Sequence, residues 1–395
     1  MIQPRIRVAE LVNGFAVEGP GGGASRFGIS LGKSLDQTRF QPRILGLWNF
    51  GMAYEKERLT ALNEAGILAH AATDWQERNP YRSFWKAYQD LRKFFSSHAV
   101  DILHSHSEFG DIAALFLKIV HRRLILIRTI HNGYPIEWRK RPIRRLLLTN
   151  LLYPIFFSAE IGVNQAIVDQ LDKRWIARML NKKAIWQPNA IDLNRFIGNT
   201  ESKRDLLNEL SIDKNTFIVG SIGRLAIEKG IEDLLQAASL VLKANPRVFF
   251  VIVGEGDLRT ALVDIAENLG ISKHVRFTGA RPDIEAMYGC FDVLVNSSLW
   301  EGLSTVILEG LAARVPVIAT DIPGNRAILT HGKNSLIVPP ARPDKLAKAI
   351  LEIAEDHHLQ SLLIKNGLET VESYRIEAIT QSHEILYQKL YQKHT

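Results

Sequence analysis

Two glutamates stand eight residues apart in the segment SSLWEGLSTVILEG, which covers residues 297–310. The segment follows a predicted strand, Val293–Asn296, and opens a predicted helix with Ser304 in the N-cap position. Unpaired backbone amides and the positive end of the helix dipole attract anions at such a turn. The spacing therefore predicts a diphosphate site formed by Gly302, Leu303, Ser304, Thr305 and Val306.

The carboxylates of Glu301 and Glu309 flank this predicted phosphate site. Glu309 lies about 7.5 Å further along the helix axis than Ser304, where a carboxylate can accept both hydroxyls of a ribose. Glu301 lies in the loop on the other side, where it can bind hydroxyls of a sugar joined to the phosphates. We interpret the pair as hydroxyl ligands rather than as an acid and a base.

A second strand-loop-helix segment, GSIGRLAIEKG at residues 220–230, carries Arg224 and Lys229 after Gly223. Loss of a nucleoside diphosphate leaves about three negative charges to be stabilised, and two fixed cations would serve that purpose. No two aspartates in the chain are separated by one residue, so an Asp-x-Asp metal clamp is missing and no metal is expected. The alternative is that both side chains are simply solvated.

A glycine run occurs between the first predicted strand and helix, where Gly21, Gly22 and Gly23 precede Arg26. Glycines allow close approach of the backbone to a ligand. The run is not a dinucleotide fingerprint, because Arg26 occupies the last glycine position of G-x-G-x-x-G. A plain turn explains it equally well.

Three histidines end two predicted strands of the first half. His131 follows the strand Leu124–Ile130, where it could contact a sugar hydroxyl or a reacting centre. His104 and His106 end the preceding strand, and two such histidines can ligate a metal. With no carboxylate or third histidine nearby in the sequence, we expect loop or cleft packing instead.

Short apolar runs that alternate with helix-period segments must position these residues. This alternation predicts parallel sheets covered on both faces, hence an α/β fold of two doubly wound domains joined near residues 188–215. Ligands of such folds bind at the carboxyl ends of strands, so we expect the active site in a cleft between the domains. The predicted strands are Ile6–Val12, Arg43–Leu47, Ile102–His104, Leu124–Ile130, Ile161–Val163, Ala184–Trp186, Phe217–Ile222, Val248–Val253, Val275–Thr278, Val293–Asn296, Val315–Ala319 and Ser335–Val338.

Size and composition agree with a two-domain protein of the reducing cytosol. A chain of 395 residues exceeds one ordinary core. The single cysteine, Cys290, excludes an internal disulfide framework and a Cys-based zinc cluster. Since the first residues lack the apolar core of a signal peptide, no export is indicated and a cytoplasmic location is expected.

Charge differs between the two halves of the chain. Residues 1–190 hold 27 Lys and Arg against 16 Asp and Glu, whereas residues 191–395 hold 22 against 26. The densest basic cluster, within residues 139–145, precedes the apolar stretch Leu146–Ala159. This stretch is too short to span a bilayer and is interpreted as a buried helix. The Arg139–Ala159 region predicts docking to an anionic membrane surface, with a solvated helix end as an equal alternative. Nucleic-acid binding is disfavoured, because aromatic residues are not interleaved with the basic ones.

Taken together, these segments resemble the family 4 retaining glycosyltransferases, which have the two-domain GT-B fold. The resemblance is strongest from Gly220 to Pro339, and weaker in the N-terminal half. It rests on GRLAIEKG at 223–230, the pair Glu301 and Glu309, PVIAT at 316–320, GKNSLIV at 332–338 and the connector PNAIDLNRF at 188–196.

The resemblance implies a role for each matching position. It places Arg224 and Lys229 on the donor diphosphate, Glu309 on the ribose, Glu301 on the donor sugar and His131 near the reacting carbon. Gly22, Gly23 and Arg26 match the family's glycine loop, although Ser25 stands where an acidic residue is frequent. Ala327 stands where many members have Glu. We also predict that Arg281 binds the donor and that Arg26 and His106 lie near the acceptor.

We therefore expect a metal-independent retaining glycosyltransferase, without cofactor, that acts on a UDP- or GDP-sugar and a glycan or lipid-linked acceptor. Residues 1–190 would bind the acceptor and residues 191–374 the donor, with a C-terminal helix at about 375–395 as a candidate to pack back on the first domain. Front-face departure of the phosphate is favoured, because no carboxylate clearly presents itself as a nucleophile. A sugar-nucleotide epimerase and a catalytically silent sugar-nucleotide-binding protein are the alternatives.

Overall fold

The computed structural model describes residues 5–16, 22–76, 78–132, 146–196, 207–210, 212–281 and 283–394. The chain divides into two compact units, each built on one parallel sheet. The first unit comprises Met1–Ala190 together with Ile376–Thr395, and the second comprises Ile191–Arg375. The C-terminal segment thus belongs to the unit that holds the N-terminal half of the chain.

The sheet of the first unit has seven strands in the order β3-β2-β1-β4-β5-β6-β7. The order reverses between β1 and β4, which makes their carboxyl ends a topological switch point. The strands are β1 Ile6–Gly14, β2 Phe40–Asn49, β3 Leu68–Asp74, β4 Ile102–Ser105, β5 Ile125–Ile130, β6 Ala159–Gly162 and β7 Ile185–Trp186.

Helices follow most of these strands. They are α1 Gly22–Ser34, α2 Ala53–Glu64, α3 Pro80–Ser97, α4 Glu108–Val120, α5 Tyr153–Phe156, α6 Gln165–Asp172 and α7 Trp175–Met179, with a π-helical turn at Leu146–Leu152. The helix at the C-terminal end, Ile376–His394, packs Leu386, Tyr387 and Leu390 against residues of β1, β2 and β5.

The second unit has a six-stranded sheet in the order β10-β9-β8-β11-β12-β13, with its switch point between β8 and β11. Its strands are β8 Phe217–Ile222, β9 Val248–Val253, β10 Val275–Gly279, β11 Val293–Asn296, β12 Val317–Thr320 and β13 Leu336–Val338. Its helices are α8 Ile231–Ala244, α9 Arg259–Asn268, α10 Ile284–Cys290, α11 Thr305–Ala312, α12 Pro323–Arg326, α13 Pro343–Glu355 and α14 His357–Glu372. The C-terminal helix Ile376–His394 is α15.

Continuous apolar runs form the buried strands, as the sequence predicts. All six residues of β9, with sequence VFFVIV, are buried, because helices cover both faces of a parallel sheet. The predicted doubly wound α/β class is confirmed in both units. The edge strand β3 was missed, because most of its residues are only partly buried and it carries no apolar run.

The interpretation of Leu146–Ala159 as one buried helix is wrong. The stretch forms the π-helical turn, then the four-residue α5, and its last residue begins β6. Leu146, Leu147, Ile155 and Phe156 are exposed large apolar side chains. Pro154 sits at the start of α5, where a proline is tolerated in a helix.

Candidate active site

The loops that follow β8 and β11 carry the predicted donor-binding residues of the second unit. These two strands are hydrogen-bonded neighbours at the switch point. The carboxyl ends of neighbouring parallel strands meet at one edge of the sheet. The loop segments 223–230 and 297–304, which are more than 60 residues apart in sequence, therefore meet at that edge.

Lys229 and Glu301 form an ion pair across these two loops. The Lys229 Nζ atom lies 2.8 Å from Glu301 Oε1. The Asn296 side-chain amide donates to the same oxygen at 3.2 Å, and the Ser298 hydroxyl also donates to it. Among the described contacts, all three donors reach Oε1, so Oε2 is the oxygen that Glu301 offers to a ligand.

The charge state of Glu301 follows from these contacts. Burial alone would raise the pKa of this carboxyl. The Lys229 ammonium and the donors Ser298 and Asn296 outweigh burial and lower the pKa of Glu301 below its usual range. Glu301 is therefore an ionised acceptor at neutral pH and is unsuited to donate a proton.

The backbone around Lys229 is fixed by direct contact with the loop after β11. Gly230 has a left-handed φ of 57°, and a Cβ atom there would lie 2.2 Å from the Ser297 carbonyl oxygen. The Ser297 hydroxyl donates to the Lys229 carbonyl at 2.8 Å, and the Leu299 amide donates to the Glu228 carbonyl at 2.8 Å. Glycine at 230 is thus required for the close approach of the two loops.

Arg224 is placed differently from Lys229. Its side chain is 53% exposed and pairs with Glu228 one helical turn further along the chain. Within the described part of the chain, Lys229 is the cation that contacts Glu301. The predicted phosphate role of Arg224 stays a prediction, with an exposed guanidinium as its structural basis.

Ser304 precedes α11 at the N-cap position, with extended backbone at φ −75° and ψ 109°. Its side chain makes no capping hydrogen bond. The hydroxyl instead accepts from the Asn296 amide at 3.1 Å. The Ser304 hydroxyl therefore leaves the amides of the first turn, which includes Thr305 and Val306, to other partners, as an anion site requires. Gly302 and Leu303 are both buried in the loop that precedes this turn.

Glu309 is buried in α11 and is oriented by a tyrosine that the sequence analysis missed. The Tyr288 hydroxyl lies 2.7 Å from Glu309 Oε2 and 3.3 Å from the Val306 carbonyl oxygen. Tyr288 belongs to α10, and only the packing of α10 against α11 brings the two side chains together. No spacing rule in the sequence signals this contact.

The segment that departs from the family pattern at Ala327 also contacts the loop. A Cβ atom at Gly324 would lie 2.5 Å from the Gly302 carbonyl oxygen and 2.6 Å from that of Glu301. Asn325 donates to the Asn296 side chain at 3.2 Å. The turn Pro323–Arg326 therefore packs directly on the peptide that carries Glu301.

Arg281 follows β10 and is paired with carboxylates of its own surroundings. Its guanidinium contacts Asp283 at 2.7 Å and Glu209 at 2.6 Å. The hydrogen bonds that Arg281 donates to these carboxylates raise the pKa of Arg281 above its usual range. A donor-binding role would require exchange of one of these partners, and it stays a prediction.

In the first unit, the histidines that end β4 and β5 meet. The Nδ1 atom of His106 lies 3.2 Å from the Nε2 atom of His131, within hydrogen-bonding distance. His131 Nδ1 lies 2.8 Å from the side-chain oxygen Oδ1 of Asn189. Phe27 of α1 packs edge-on against both rings, at centroid distances of 5.7 and 5.5 Å.

The expectation that no carboxylate lies near these histidines is wrong. Glu10 is paired with His104 across β1 and β4, and its carboxylate lies 2.7 Å from His106 Nε2. The side chains of Glu10, His104 and His106 lie close enough to share a metal ion. The signal in the sequence was a carboxylate within the otherwise apolar run VAELV at residues 8–12.

Hydrogen bonds already engage the nitrogens of these rings. His104 lies 2.6 Å from the Tyr387 hydroxyl and 2.7 Å from the Thr129 hydroxyl. The Tyr387 hydroxyl also donates to Glu10 at 2.9 Å. We therefore interpret the cluster as a hydrogen-bond network, and the absence of a functional metal stays a prediction.

Burial governs the protonation of this network. It lowers the pKa of His106 to about 4 and that of His131 well below 6.5. Burial opposes ionisation of Glu10, but His104 and His106 bring its pKa down to about 2. At neutral pH the rings of His106 and His131 are neutral and Glu10 is ionised.

The glycine run precedes the first helix of the same unit. Gly22 and Gly23, the last two glycines of the run, form the first turn of α1. Gly22 is buried, Gly23 is exposed and Arg26 is partly buried. Gly21 and the basic cluster at 139–145 lie outside the described residues.

Two family models match the chain. The model described as Glycosyltransferase Family 4 matches residues 21–195, and the model described as Glycosyl transferases group 1 matches residues 202–370. Together they span most of the sequence. The chain belongs to the family 4 glycosyltransferases, which confirms the resemblance drawn from the motifs.

Curated relatives carry glycosyltransferase names. The UDP-Gal:alpha-D-GlcNAc-diphosphoundecaprenol alpha-1,3-galactosyltransferase of Escherichia coli is 27% identical over 292 residues, which cover 71% of this chain and 73% of that protein. The lipopolysaccharide core biosynthesis glycosyltransferase LpsE of Rhizobium meliloti is 35% identical over 167 residues, which cover 42% of this chain and 48% of that protein.

Solved structures confirm the predicted GT-B fold. The crystal structure of HepE from Anabaena in complex with UDP and glucose has a TM-score of 0.80 and 20% identity, and covers 98% of this chain and 100% of that chain. At this identity the similarity concerns the fold alone. None of the described helices combines the length and apolar character needed to cross a bilayer.

Proposed function

We propose that this glycosyltransferase transfers a sugar from a UDP- or GDP-sugar to a hydroxyl of a glycan or lipid-linked acceptor, with retention of the anomeric configuration. The pathway we propose is the synthesis of cell-envelope polysaccharide or lipopolysaccharide. The observation that carries the proposal is the Lys229–Glu301 ion pair at the switch point of the second unit. It holds a cation and an ionised hydroxyl acceptor side by side.

Lys229 is suited to the leaving diphosphate. An ammonium group has three N–H donors, and its described contact with Glu301 uses one of them. The remaining donors can contact phosphate oxygens whose charge increases as the glycosidic bond breaks. In this proposal the first turn of α11 binds the same phosphates, and Arg224 adds a second positive charge.

Glu301 and Glu309 would then bind hydroxyls of the two ends of the donor. Glu301 is ionised, and Oε2 is the oxygen it offers to the transferred sugar. Glu309, oriented by Tyr288, would accept the ribose hydroxyls. Because no carboxylate clearly presents itself as a covalent nucleophile, we favour departure and attack on one face of the sugar, with the leaving phosphate taking the acceptor proton.

The relatives support the choice of substrates. The Escherichia coli relative is named for a UDP-galactose donor and a diphosphoundecaprenol-linked acceptor, and LpsE for the lipopolysaccharide core. The structurally similar HepE was crystallised with UDP and glucose. A nucleotide-sugar and a lipid-linked or envelope glycan are therefore the substrates to test first.

Product analysis tests the proposal. The purified protein is incubated with a panel of UDP- and GDP-sugars, with and without lipid-linked glycan acceptors, and the anomeric configuration of each product is determined by NMR. We expect a product that depends on the acceptor and retains the configuration. An inverted product would refute retention, epimerised donor without acceptor would indicate the epimerase, and an inert donor would indicate the silent binding protein.

Variants at Lys229 test the phosphate role. We expect Lys229→Met to lose at least about a hundredfold in kcat, since transition-state charge would lose its donor. We also expect the melting temperature to fall, because Lys229→Met leaves Glu301 buried without its cation. The matched control is Lys229→Met with Glu301→Gln, which should recover the melting temperature without activity. Full activity of Lys229→Met would exclude the phosphate role.

We further propose a cytoplasmic protein that associates peripherally with anionic membranes through the region 139–159. Exposed Leu146, Leu147, Ile155 and Phe156 lie in segments that contact α7, where Trp175 is also exposed. We expect salt-sensitive binding to vesicles of phosphatidylglycerol and phosphatidylcholine, weakened by Ile155→Gln with Trp175→Gln. The control is Ile385→Gln, another exposed apolar residue, and absence of binding at low salt would refute the proposal.

A further inference from the structure

Four side chains form a continuous hydrogen-bonded chain in the first unit. Glu10 of β1 contacts His106, His106 contacts His131, and His131 contacts Asn189, at 2.7, 3.2 and 2.8 Å respectively. They come from β1, from the loops after β4 and β5, and from the segment after β7. Such a chain has a direction, because each contact needs one donor and one acceptor.

Glu10 determines that direction. Its carboxylate is fully buried and, when ionised, can only accept hydrogen bonds. The Tyr387 hydroxyl donates to Oε1 at 2.9 Å, and His106 Nε2 lies 2.7 Å from Oε2. His106 must therefore carry its proton on Nε2.

The next contacts follow from this assignment. A neutral His106 ring with its proton on Nε2 presents a lone pair on Nδ1. His131 Nε2, at 3.2 Å, must then donate, and the neutral His131 ring keeps a lone pair on Nδ1. In the structure Asn189 Oδ1 lies 2.8 Å from His131 Nδ1. The direction set by Glu10 requires the opposite amide orientation, in which the Asn189 nitrogen donates to that lone pair, and the hydrogen-bond network is what assigns the oxygen and nitrogen of an amide.

The rings have little freedom to adopt another arrangement. Phe27 packs edge-on against both imidazoles. A Cβ atom at Gly28 would lie 2.8 Å from His106 Cδ2, so helix α1 lies directly against that ring. Burial also keeps both rings neutral at neutral pH, since it lowers the pKa of His106 to about 4.

We propose that Glu10 and His106 are positioning residues that fix His131 as a neutral ring with its proton on Nε2 and both nitrogens engaged. In this state His131 orients a ligand by shape and does not take the proton of the acceptor hydroxyl. Only this consequence for the reaction rests on the proposed function; the protonation state itself does not.

Nitrogen NMR of the protein labelled with 15N-histidine tests the assignment at pH 7. His131→Gln and His106→Gln identify the signals by their loss. We expect a protonated Nε2 and an unprotonated Nδ1 for both residues. A protonated Nδ1 on His131 in the unmodified protein would overturn the proposal, and the measurement requires no turnover.

The variant Glu10→Gln tests the cause. A glutamine both donates and accepts, so we expect the two nitrogen signals of His131 to move towards each other as both tautomers become populated. The matched control is His383→Gln. It replaces a buried histidine that stacks on His104 but is not one of the four hydrogen-bonded side chains. His131 signals that are identical in Glu10→Gln and the unmodified protein would overturn the role of Glu10.

Kinetics provide a separate readout once a donor and an acceptor are known. We expect Glu10→Gln to lower kcat about tenfold with little change in the KM for the donor, and His383→Gln to leave both unchanged. An unchanged kcat in Glu10→Gln, with altered His131 signals, would refute the catalytic importance of the tautomer. If no donor is turned over by the unmodified protein, the proposed function fails while the NMR result stands.

Discussion

The hydroxyl of Tyr288 lies 2.7 Å from the Oε2 atom of Glu309, and both side chains are buried. The hydroxyl donates to this carboxylate and also lies 3.3 Å from the Val306 carbonyl oxygen in the first turn of α11. A tyrosine of α10 thus fixes the rotamer of the glutamate that is predicted to bind the ribose.

Removing this hydroxyl should weaken binding of the donor. We expect Tyr288→Phe to raise the Kd for UDP or GDP about tenfold, since a hydrogen bond to a charged group contributes about 1.5 kcal/mol or more. Isothermal titration with the nucleotide measures the change. Tyr153→Phe, which removes a buried hydroxyl of the first unit, is the control and should bind normally. Unchanged nucleotide binding in Tyr288→Phe would contradict the role of Glu309.

The close contact of Gly324 with the loop after β11 gives a second prediction. In Gly324→Ala the new methyl group would meet the carbonyl oxygens of Glu301 and Gly302 at 2.6 and 2.5 Å, so the loop must move. We expect donor KM to rise several-fold in steady-state assays. The control is Gly270→Ala, which has a left-handed φ of 70° but no atom within 4 Å of the new Cβ. It should lose stability and keep its KM.

Arg224 allows a test in which folding is hardly disturbed. Because its pair with Glu228 is exposed, the pair contributes little to stability. We expect Arg224→Gln to keep the melting temperature and to lower kcat by about 10- to 100-fold, through lost stabilisation of the leaving diphosphate. Glu228→Gln removes the same ion pair and should retain activity. Equal loss in both variants would indicate that the pair, and not the cation, matters.

Removal of metal ions with a chelator tests the expectation that the transferase activity requires no metal. The three side chains that could share an ion, Glu10, His104 and His106, are engaged in hydrogen bonds with one another and with Tyr387 and Thr129. We expect full transferase activity after dialysis against EDTA, and less than one equivalent of bound transition metal by elemental analysis. Activity lost in EDTA and restored by a divalent cation would refute the prediction.

The buried His383 predicts how stability depends on pH. Burial lowers the pKa of its ring to about 3, whereas an unfolded histidine titrates near 6.5. Below pH 6.5 the unfolded chain binds a proton that the folded chain does not, so this group makes the free energy of unfolding fall as pH decreases from about 6.5 to about 3. At pH 5 the loss is about 2 kcal/mol.

The substitution His383→Gln removes this titration. We therefore expect the free energy of unfolding, measured with urea at pH 7 and pH 5, to change less in the variant than in the unmodified protein. His357→Gln on the exposed face of α14 is the control and should behave as the unmodified protein does. A variant with undiminished pH dependence would contradict the assignment.

Sequence patterns predicted the elements whose environment is uniform. Strands β8, β9 and β11 were placed at their observed bounds, because buried parallel strands are continuous apolar runs. The edge strand β3 and the divided stretch Leu146–Ala159 were not predicted correctly, because half-exposed segments show no clear hydrophobic periodicity.

Local spacing correctly placed Ser304 at the N-cap of α11 and Glu309 within that helix, because one loop and its helix define both positions; their binding roles stay predictions. It failed where residues distant in sequence meet. The contacts of Glu10 with His106 and of Tyr288 with Glu309 depend on strand order and helix packing, which spacing along the chain does not encode. The pairing of Lys229 with Glu301 lies between these cases: both residues were predicted, but not their contact.

The hydrogen bond from Tyr387 to Glu10 joins the last helix to the first strand. During synthesis, the ribosome must therefore complete the entire second unit before the first unit can acquire all of its parts. The second unit, continuous from 191 to 375, can fold as soon as it has emerged. Until α15 has been synthesised, the first unit lacks part of the core over β1, β2 and β5. A premature stop codon within α15 would therefore destabilise the unit that contains the residues synthesised first.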